Sequence, residues 1–595
     1  MLYLLVAIPM IIAAFLSIIL YNFPKLPKYI ALAGSLISLM IAILIFIEGH
    51  SDIIQTFNWF SIDNITASLS FAVYPINMIA LLIVAGMTPL IILYSFGFMR
   101  MPTEQGRFYF EISIFAASMM IFVISYSLIA MFIAWEMLGI MSYLLIGFWY
   151  WKENVPKAAQ KAISMVFIGD ILFLIGIIII GLTYGNFNIS SLYSLPFYPQ
   201  VSIALILILF AAFSKGAQFP FTEWLPDAME GPTPVSAYLH SSTMVKAGII
   251  LIAVILPIYS AYNLLWLILI IGFISAIIGA TNALTTKHIK KVLAYSTIED
   301  IGLMFIALGL NNIFAAIMLF VAQTFYKALL FLDSGAIMKA NDDREDIYKI
   351  YGASQNKLIY ISLIFGVLSL ASIFPLSGFF GKAVIISTSS GISYLLLILI
   401  EILSSFYIFR WFFVIIRKDG DDELYRAINY KSTSKLMLLP IFILTLLIIF
   451  ASILYFYIPH YIGISTTINT NIPIYELIIS TVIAIIAIYF TYLIFYKHKL
   501  VIKESYKWYK PLYNIFNNNI FINSFYLYTA LFFEWIAGIF LGIEISIDKF
   551  LSKIGHSILS FNNFIRRIEN GQINTYALSF ILGILFLIII IYIFY

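Results

Sequence analysis

The chain has 595 residues, of which 63% are hydrophobic and only 10% are charged. Soluble domains carry about 25% charged residues, so this composition excludes a water-soluble protein. The small and scattered net charge of +4 argues against nucleic-acid binding, and the lack of cysteine excludes disulfides and thiolate-held iron–sulfur clusters. The six histidines show no metal-site spacing, and there is no phosphate-binding glycine loop. We therefore expect no cofactor in this chain.

Apolar runs of about 18 or more residues recur along the chain, and each predicts a membrane-spanning helix. The first run, "MLYLLVAIPMIIAAFLSIIL", is too long for a cleaved signal and predicts the first span. In chain order the sequence predicts sixteen spans, near residues 2–21, 28–48, 71–97, 109–127, 129–150, 161–183, 202–221, 235–256, 262–283, 289–308, 312–337, 357–388, 393–416, 436–458, 472–496 and 574–594.

The connections between these spans alternate in charge. Connections that lie on the cytoplasmic side are enriched in Lys and Arg, so the alternation predicts that both termini lie outside. The connection around Asp227 is acidic and is the one exception on the inner side, whereas 49–70 carries Asp52 and Asp63 on the outer side. The basic residues of the inner set are Lys25, Lys28, Arg100, Arg107, Lys152, Lys157, Lys161, Lys287, Lys290, Lys291, Lys339, Arg344, Arg417 and Lys418.

Residues 499–573 differ from the rest because polar residues recur among apolar ones. A helix over about 524–568 would be roughly 65 Å long, about twice the thickness of a bilayer core. The sequence favours an amphipathic helix that runs laterally along the membrane surface, followed by a final span at 574–595. The alternative is one more tilted span with polar flanks.

Ionisable residues interrupt the apolar runs far from their ends. An ionised side chain at the bilayer centre costs about 2.5–3.5 kcal/mol, so it faces a partner or a water-filled cavity. A single buried charge is most often a structural ion pair. A series in consecutive spans predicts a proton relay, because a moving carboxylate can switch a buried lysine between its charged and neutral forms. The candidates are Glu136, Asp170, Lys215, His240, Lys246, Glu299, Asp300, Lys327 and Lys382, with Glu401 and Arg410 in the next helix.

Two predicted spans contain helix-breaking residues beside a lysine. Gly216 and Pro220 follow Lys215, and Pro375 and Gly378 precede Lys382. Interrupted spans in corresponding halves are typical of transport sites, although a plain proline kink is the alternative. The sequence thus predicts an N-terminal helical region (1–108), two related five-helix half-channel units (109–256 and 257–417), peripheral spans (418–498), the lateral helix (499–573) and a final span (574–595).

The segment "FPFTEWLPDAMEGPTPVSAYLHSSTMVKAGIILI", residues 219–252, resembles the signature of the antiporter-like membrane subunits of respiratory complex I and of Mrp-type cation/proton antiporters. The segments "AWEMLGIMSYLLIGFW", "KKVLAYSTIEDIGLMFIALG", "FYKALLFLDSGAIM", "FPLSGFFGKA" and "SFYIFRWFF" extend this resemblance over about 60–420. The lateral helix and last span resemble those of the largest, distal subunit of complex I.

The resemblance implies roles for individual residues. It makes Glu136 the partner of Lys215, and Lys382 the exit towards the outside. It also gives relay positions to Asp170, His240 and Lys327. The sequence departs from the pattern of the distal subunit at two positions where histidines are usual and at one where aspartate is usual, and it adds three charges. These positions are Leu319, Gln323 and Ala383, and the added charges are Lys246, Glu299 and Asp300.

The function that this resemblance implies is proton translocation in a complex I-like quinone oxidoreductase of a prokaryotic plasma membrane. Electron transfer would occur in other subunits, and the partners would be those redox subunits, other antiporter-like subunits and the lipid bilayer. The alternative is a subunit of an Mrp-type antiporter or of a related inorganic-carbon uptake transporter. A third class, a non-pumping structural subunit, is disfavoured by the intact series of buried lysines.

Overall fold

The computed structural model describes residues 3–23, 25–49, 54–63, 65–99, 104–193, 196–417, 434–462, 472–497, 522–568 and 571–594. The predictions that rest on Asp52, Arg100, Lys418 and the segment 499–521 lie outside the described residues.

Helices make up 82% of the structure, which confirms the predicted all-α membrane fold. The helices are α1 (Ile8–Ile19), α2 (Leu26–Glu48), α3 (Pro75–Phe98), α4 (Gln105–Ile124), α5 (Leu128–Ile146), α6 (Asn154–Tyr184), α7 (Ile189–Leu192), α8 (Pro199–Lys215), α9 (Trp224–Asp227), α10 (Thr233–Ser241), α11 (Met244–Val254), α12 (Leu256–Ala261), α13 (Leu265–Thr285), α14 (Ile289–Gly309), α15 (Ile313–Ala340), α16 (Lys357–Leu370), α17 (Ser377–Ser387), α18 (Gly391–Ile416), α19 (Lys435–Phe450), α20 (Leu454–Tyr461), α21 (Ile474–Thr491), α22 (Ile522–Ile568) and α23 (Ile573–Phe594).

Within the described residues, 14 helices are long and apolar enough to cross a membrane. Thirteen of them, without α22, combine with Tyr3–Ile19, α8 and the interrupted pair α16–α17 to give the sixteen predicted crossings. Each crossing reflects an apolar run close to the ~20 residues that a bilayer core requires.

The helices that carry most of the ionisable residues lie at the centre of the bundle. In α14 and the pair α10–α11, 94% of the most apolar stretch is buried, and in α15 the figure is 89%, against 33% in α2. A polar side chain on a central helix faces protein instead of lipid, so it can find a partner there. This arrangement explains how α14 and α15 tolerate charges in mid-helix.

Among the residues that the structure describes, three spans are interrupted inside the bundle. The first interruption follows Lys215 at the end of α8, and the second separates α16 from α17. The third separates α10 from α11 at residues 242–243, where the sequence predicts one span over 235–256 without a break.

The first interruption leaves backbone groups that other parts of the chain satisfy, as a bilayer interior requires. The indole nitrogen of Trp224 donates to the carbonyl oxygen of Ser214 at 2.9 Å. The amide of Phe219 donates to the hydroxyl oxygen of Ser275 on α13, also at 2.9 Å. The break is therefore a packed element of the bundle.

A β-hairpin occupies residues that the sequence leaves as a plain connection. Strands β1 (Gln55–Ile62) and β2 (Ile65–Phe71) pair antiparallel. The hairpin bonds to two other connections, since Thr66 N donates to Gly185 O at 2.8 Å and Ala72 N donates to Ile124 O at 2.9 Å. Connections that lack Lys and Arg thus gather at one end of the bundle.

Basic connections gather in the same way. Lys161 and Lys291 both pair with Asp227, with Nζ–Oδ distances of 2.7 and 3.3 Å. These contacts place two basic segments against the acidic connection, as expected if all three face one compartment. The acidic exception in the charge pattern is therefore neutralised locally.

The chain divides into two compact units, Met1–Asn517 and Asn518–Tyr595. The second unit holds α22 and α23. With 47 residues, α22 is about 70 Å long at 1.5 Å per residue, more than twice the thickness of a bilayer core. By composition α22 also meets the criterion for a span, so the tilted-span alternative stays beside the lateral helix.

Candidate functional site

The first cluster of buried charges joins α5, α6 and α8. Lys215 is fully buried, and its Nζ lies 3.6 Å from Oδ1 of Asp170. The indole nitrogen of Trp135 donates to the same carboxylate oxygen at 2.6 Å. Lys215 donates to the carbonyl oxygen of Trp135 and lies 4.5 Å from the centre of its ring. The ammonium group therefore has a carboxylate, a carbonyl and an aromatic face as partners.

The ion-pair partner of Lys215 in this geometry is Asp170, and the role that the resemblance implies for Glu136 stays a prediction. The ion pair forms with Asp170 rather than with Glu136, which is half-buried and has no ion pair among the described residues. The physical reason is that Trp135 holds both the lysine and Asp170, and Glu136 projects from the next position of α5. Glu136 therefore lies beside the cluster, partly exposed, and is not a member of its ion pair.

A close approach of α6 and α8 makes this ion pair possible. A Cβ atom at Gly169 would lie 1.8 Å from the hydroxyl oxygen of Ser214, well inside contact distance. The residues next in sequence are Asp170 and Lys215, the two members of the pair. Only glycine allows the two helices to come this near.

The interrupted eighth span carries His240 and Lys246 on either side of its break. Lys246 is buried, and its Nζ donates to Phe320 O at 2.6 Å and to the Thr324 hydroxyl at 2.5 Å, both on α15. His240 is also buried, and neither of its ring nitrogens has a hydrogen-bond partner in the described structure. An imidazole without fixed partners can accept a proton on one nitrogen and release one from the other.

The second cluster joins α14, α15 and α17. Lys327 Nζ lies 3.0 Å from Oδ2 of Asp300, and both side chains are fully buried. Lys382 Nζ lies 3.4 Å from Oε1 of Glu299 and 3.8 Å from Oδ1 of Asp300. Asp300 therefore stands between the two lysines, while Glu299 also accepts a hydrogen bond of 2.6 Å from the hydroxyl of Tyr407.

The break between α16 and α17 supplies part of this cluster. Lys382 donates to the carbonyl oxygen of Leu370, the last residue of α16, at 3.0 Å. The amide of Gly378 donates to the hydroxyl oxygen of Ser369 at 3.1 Å, and a Cβ at Gly378 would lie 1.8 Å from the Ser369 carbonyl oxygen. Interrupting the helix thus provides a backbone acceptor for the lysine ammonium group.

A cavity of ≈ 320 Å³ opens among the basic connections, and its wall contains several ionisable groups. His288 Nε2 lies 3.1 Å from a Glu345 oxygen, and this hydrogen bond lowers the pKa of Glu345. Burial raises the pKa of Glu104, although Arg107 opposes this shift. The ionisable residues of the wall are Glu104, Lys152, Glu230, Lys290, Lys339, Asp343 and Glu345.

Several participants give no clear signal in the sequence. Trp135 and Tyr407 look like ordinary aromatic residues of apolar spans, although both bond a buried carboxylate. Asp333 on α15 is fully buried and accepts from the Ser362 hydroxyl at 2.9 Å, and its position in the run "ALLFLDSGAIM" could have identified it.

Arg410 donates to the carbonyl oxygens of Ala283 and Thr286 at the end of α13, which is a structural role. Among the described residues no group of three His, Asp or Glu could hold a metal ion.

Comparison with known proteins identifies the family. Residues 125–407 match the family described as NADH:quinone oxidoreductase/Mrp antiporter, and residues 59–109 match the N-terminal region of complex I chain 5. NADH-quinone oxidoreductase subunit L of Buchnera aphidicola is 31% identical over 563 residues, which cover 90% of this chain and 89% of that protein. The chain belongs to this family. The resemblance stated from the sequence motifs is thereby confirmed.

A further relative and two solved structures extend the match. Chloroplastic NAD(P)H-quinone oxidoreductase subunit 5 of Mesostigma viride is 32% identical and is aligned over 93% of this chain and 91% of its own length. A chain of the Mrp complex from Dietzia sp. has a TM-score of 0.69 at 21% identity, over 83% of this chain and 56% of that chain. A chain of the archaeal membrane-bound sulfane sulfur reductase has the same TM-score at 19% identity, over 81% and 99% of the two chains. The structural matches show a shared fold.

Proposed function

We propose that this chain moves protons outward across a membrane as a subunit of a multi-subunit quinone oxidoreductase of the complex I type. Redox chemistry would take place in other subunits, because this chain has no cysteine to hold an iron–sulfur cluster. The homology to subunit L and subunit 5 proteins over nine tenths of the chain supports this assignment.

The observation that carries the proposal is the set of three buried lysines, each within 4 Å of a buried carboxylate. The pairs are Lys215–Asp170, Lys327–Asp300 and Lys382–Glu299. At an effective dielectric constant of 20, charges about 3–4 Å apart attract by roughly 4–6 kcal/mol. Full separation of a pair would therefore change the proton affinity of the lysine by about three to four orders of magnitude, and a movement of about 2 Å by roughly tenfold. Such a pair can load and release a proton in response to movement.

The second cluster shows how a proton would pass between lysines. Asp300 contacts Lys327 at 3.0 Å and Lys382 at 3.8 Å. A proton given up by Lys327 to the carboxylate would leave the amine neutral, and the carboxyl group could then pass that proton to a neutral Lys382. Net charge in the cluster is unchanged by each transfer, which avoids leaving an isolated charge in a dry interior.

Uptake would start at the cavity among the basic connections. Lys290 lines this cavity and is 3% exposed, and the charge of Lys290 acts on His240 deeper in the bundle. His240 lies two turns along α10 from Thr233, another residue of the cavity wall, and therefore on the same face of that helix. We assign His240 the step between this cavity and Lys327, with bridging waters where side chains do not touch.

Assembly and location are part of the proposal. Helix α22 would run along the inner membrane surface and contact neighbouring antiporter-like subunits through apolar residues such as Phe532, Ile536 and Phe540. Its length of about 70 Å exceeds what one sixteen-helix subunit can cover. The membrane would be a prokaryotic plasma membrane, with both termini outside.

The second candidate function is a subunit of an Mrp-type antiporter or of a related inorganic-carbon uptake transporter. The fold shared with the Dietzia Mrp chain favours it. The two functions differ in their energy source. A quinone oxidoreductase complex pumps when electrons flow to quinone, whereas an antiporter exchanges ions down an imposed gradient without electron flow.

The test measures proton uptake by inverted vesicles that carry the assembled complex, during quinone reduction. We expect Lys215→Ala and Lys327→Ala to reduce pumping severely, with electron transfer falling in parallel or less. The matched control is Lys157→Ala, because Lys157 is exposed and pairs with the exposed Glu153. Wild-type pumping in assembled Lys215→Ala and Lys327→Ala complexes would refute the proposal. Proton movement driven by an imposed ion gradient alone would favour the antiporter.

A further inference from the structure

Two buried carboxylates beyond Lys382 have no role in the clusters described so far. Glu401 on α18 is 3% exposed and Glu476 on α21 is fully buried. Neither carboxylate forms an ion pair within 4 Å among the described residues, and the polar side chains nearest to them are Ser480 for Glu401 and Tyr394 for Glu476. An ionised carboxylate without a nearby cation is costly in a dry interior, so a buried carboxylate needs either an ion pair or a proton.

Helix α21 turns a polar face towards α18. Helix α21 is mainly apolar and mostly not buried, and it packs against α18 and also touches α17. Its buried residues recur every three or four positions, which places them on one face. These residues are Glu476, Ser480, Ala484, Ala487 and Thr491.

The carboxylates continue the line of charges that ends at Lys382. Lys382, Glu299 and Glu401 line one small cavity between α14, α17 and α18, which has room for about one water molecule. The charges of both Lys382 and Glu476 act on Glu401. The cavity therefore places the Glu401 carboxylate beside the last lysine of the second cluster.

The same carboxylates lead towards one end of the bundle. Glu476 lies in the first turn of α21, and Tyr394, which interacts with Glu476, lies in the first turn of α18. Glu401 is seven residues further along α18 and so lies on the same face as Tyr394, about 10 Å deeper. Both helices begin at the end of the bundle opposite to Arg344 and Arg417, which lie where α15 and α18 finish.

We propose that Glu401 and Glu476 form the last stage of proton release from this subunit, between Lys382 and the outer membrane surface. The proposal rests on the proposed function. The Lys382 ammonium gives one proton to the Glu401 carboxylate and becomes a neutral amine. The Glu401 carboxyl group passes that proton to Glu476, through a water where needed, and Glu476 releases it to external water. Each carboxylate is then ready to accept the next proton.

The test replaces each carboxylate by its uncharged isostere in the assembled complex and measures protons released per electron pair in sealed vesicles. We expect Glu401→Gln and Glu476→Gln each to lower this ratio at least twofold, to the level of Lys382→Ala. Glu401→Asp should restore at least half of the loss, which a purely structural role of the side chain would not require. The control is Glu48→Gln, because Glu48 is exposed at the end of α2.

The outcomes separate this inference from the proposed function. Wild-type pumping in Lys382→Ala would overturn the proposed function at this lysine. A pumping defect in Lys382→Ala together with wild-type ratios in both glutamine variants would overturn only the release pathway.

A second measurement needs no variant and therefore cannot fail through misfolding. A hydrophobic carbodiimide reacts with protonated carboxyl groups inside membranes and leaves an N-acylurea. In the wild-type complex it should add its mass to the peptide that carries Glu401 or Glu476 and leave the peptide with Glu48 unmodified. If neither inner carboxylate reacts, the release pathway is wrong.

Discussion

Asp170→Asn should stop proton transfer through Lys215 in the first cluster while leaving the packing of the cluster in place. The asparagine side chain has the shape of aspartate, and its oxygen can still accept the 2.6 Å hydrogen bond from Trp135. The variant therefore removes one charge and little else. What it removes is the carboxylate 3.6 Å from the buried ammonium group of Lys215.

The magnitude follows from that distance. At an effective dielectric constant of 20, two unit charges 3.6 Å apart attract by about 5 kcal/mol. Since about 1.4 kcal/mol corresponds to a factor of ten, the charged form of Lys215 would lose roughly three orders of magnitude in population relative to the neutral form. A lysine that stays neutral cannot carry a proton through a pumping cycle.

The assay is proton uptake into inverted vesicles per electron pair, with the amount of assembled complex measured in the same preparation. We expect a large loss in Asp170→Asn and a smaller one in Glu136→Gln, because Glu136 makes no ion pair with the lysine in the described structure. Equal pumping by Asp170→Asn and the wild type would refute the electrostatic argument. A larger loss in Glu136→Gln would show that the working partner of Lys215 is not the one observed.

Three further predictions concern topology, assembly and pH. The chain has no cysteine, so an impermeant thiol reagent should label Glu153→Cys only from the inside and Asn263→Cys only from the outside, and the reverse pattern would invert the topology. Deleting 515–595 should release neighbouring subunits on native gels, and normal assembly would disprove the lateral-helix role. The hydrogen bond from His288 lowers the pKa of Glu345 in the folded protein. The ionised Glu345 carboxylate therefore stabilises the fold at pH values above its unfolded-state pKa, and this stabilisation is lost as the pH falls through its folded-state pKa. His288→Ala should therefore make stability less dependent on acid pH, and an unchanged acid transition in thermal unfolding would contradict this.

The sequence predicts the crossings and the ionisable candidates because both depend on local composition. An apolar run of bilayer length has few alternatives to a helix, and a charge within it must be buried in protein. Asp300 and Lys327 could be selected for that reason alone. Their pairing could not, because the distance between α14 and α15 depends on tertiary packing.

Other features of the structure cannot be predicted from the local sequence pattern. The break between α10 and α11 lies at Ser242–Thr243 and contains neither proline nor glycine, so it lacks the usual signal. The hairpin has a signal in the residues Asp63–Asn64 between two runs that contain aromatic and β-branched residues, but the long apolar neighbours dominate the pattern. Tyr407 is indistinguishable from a lipid-facing aromatic residue until α18 is placed against α14.

The contact between Gly169 and Ser214 makes the ion pair of the first cluster sensitive to the relative position of α6 and α8. Because α6 and α8 touch backbone to side chain at this point, the distance between the neighbouring charges depends directly on how the two helices slide or tilt. A displacement of α8 by about one ångström would lengthen the 3.6 Å contact between Lys215 and Asp170 beyond the range of an ion pair. A force applied by an adjoining subunit could thus change the protonation of Lys215 without any large rearrangement. The close helix contact on which this depends exists because Gly169 has no Cβ atom.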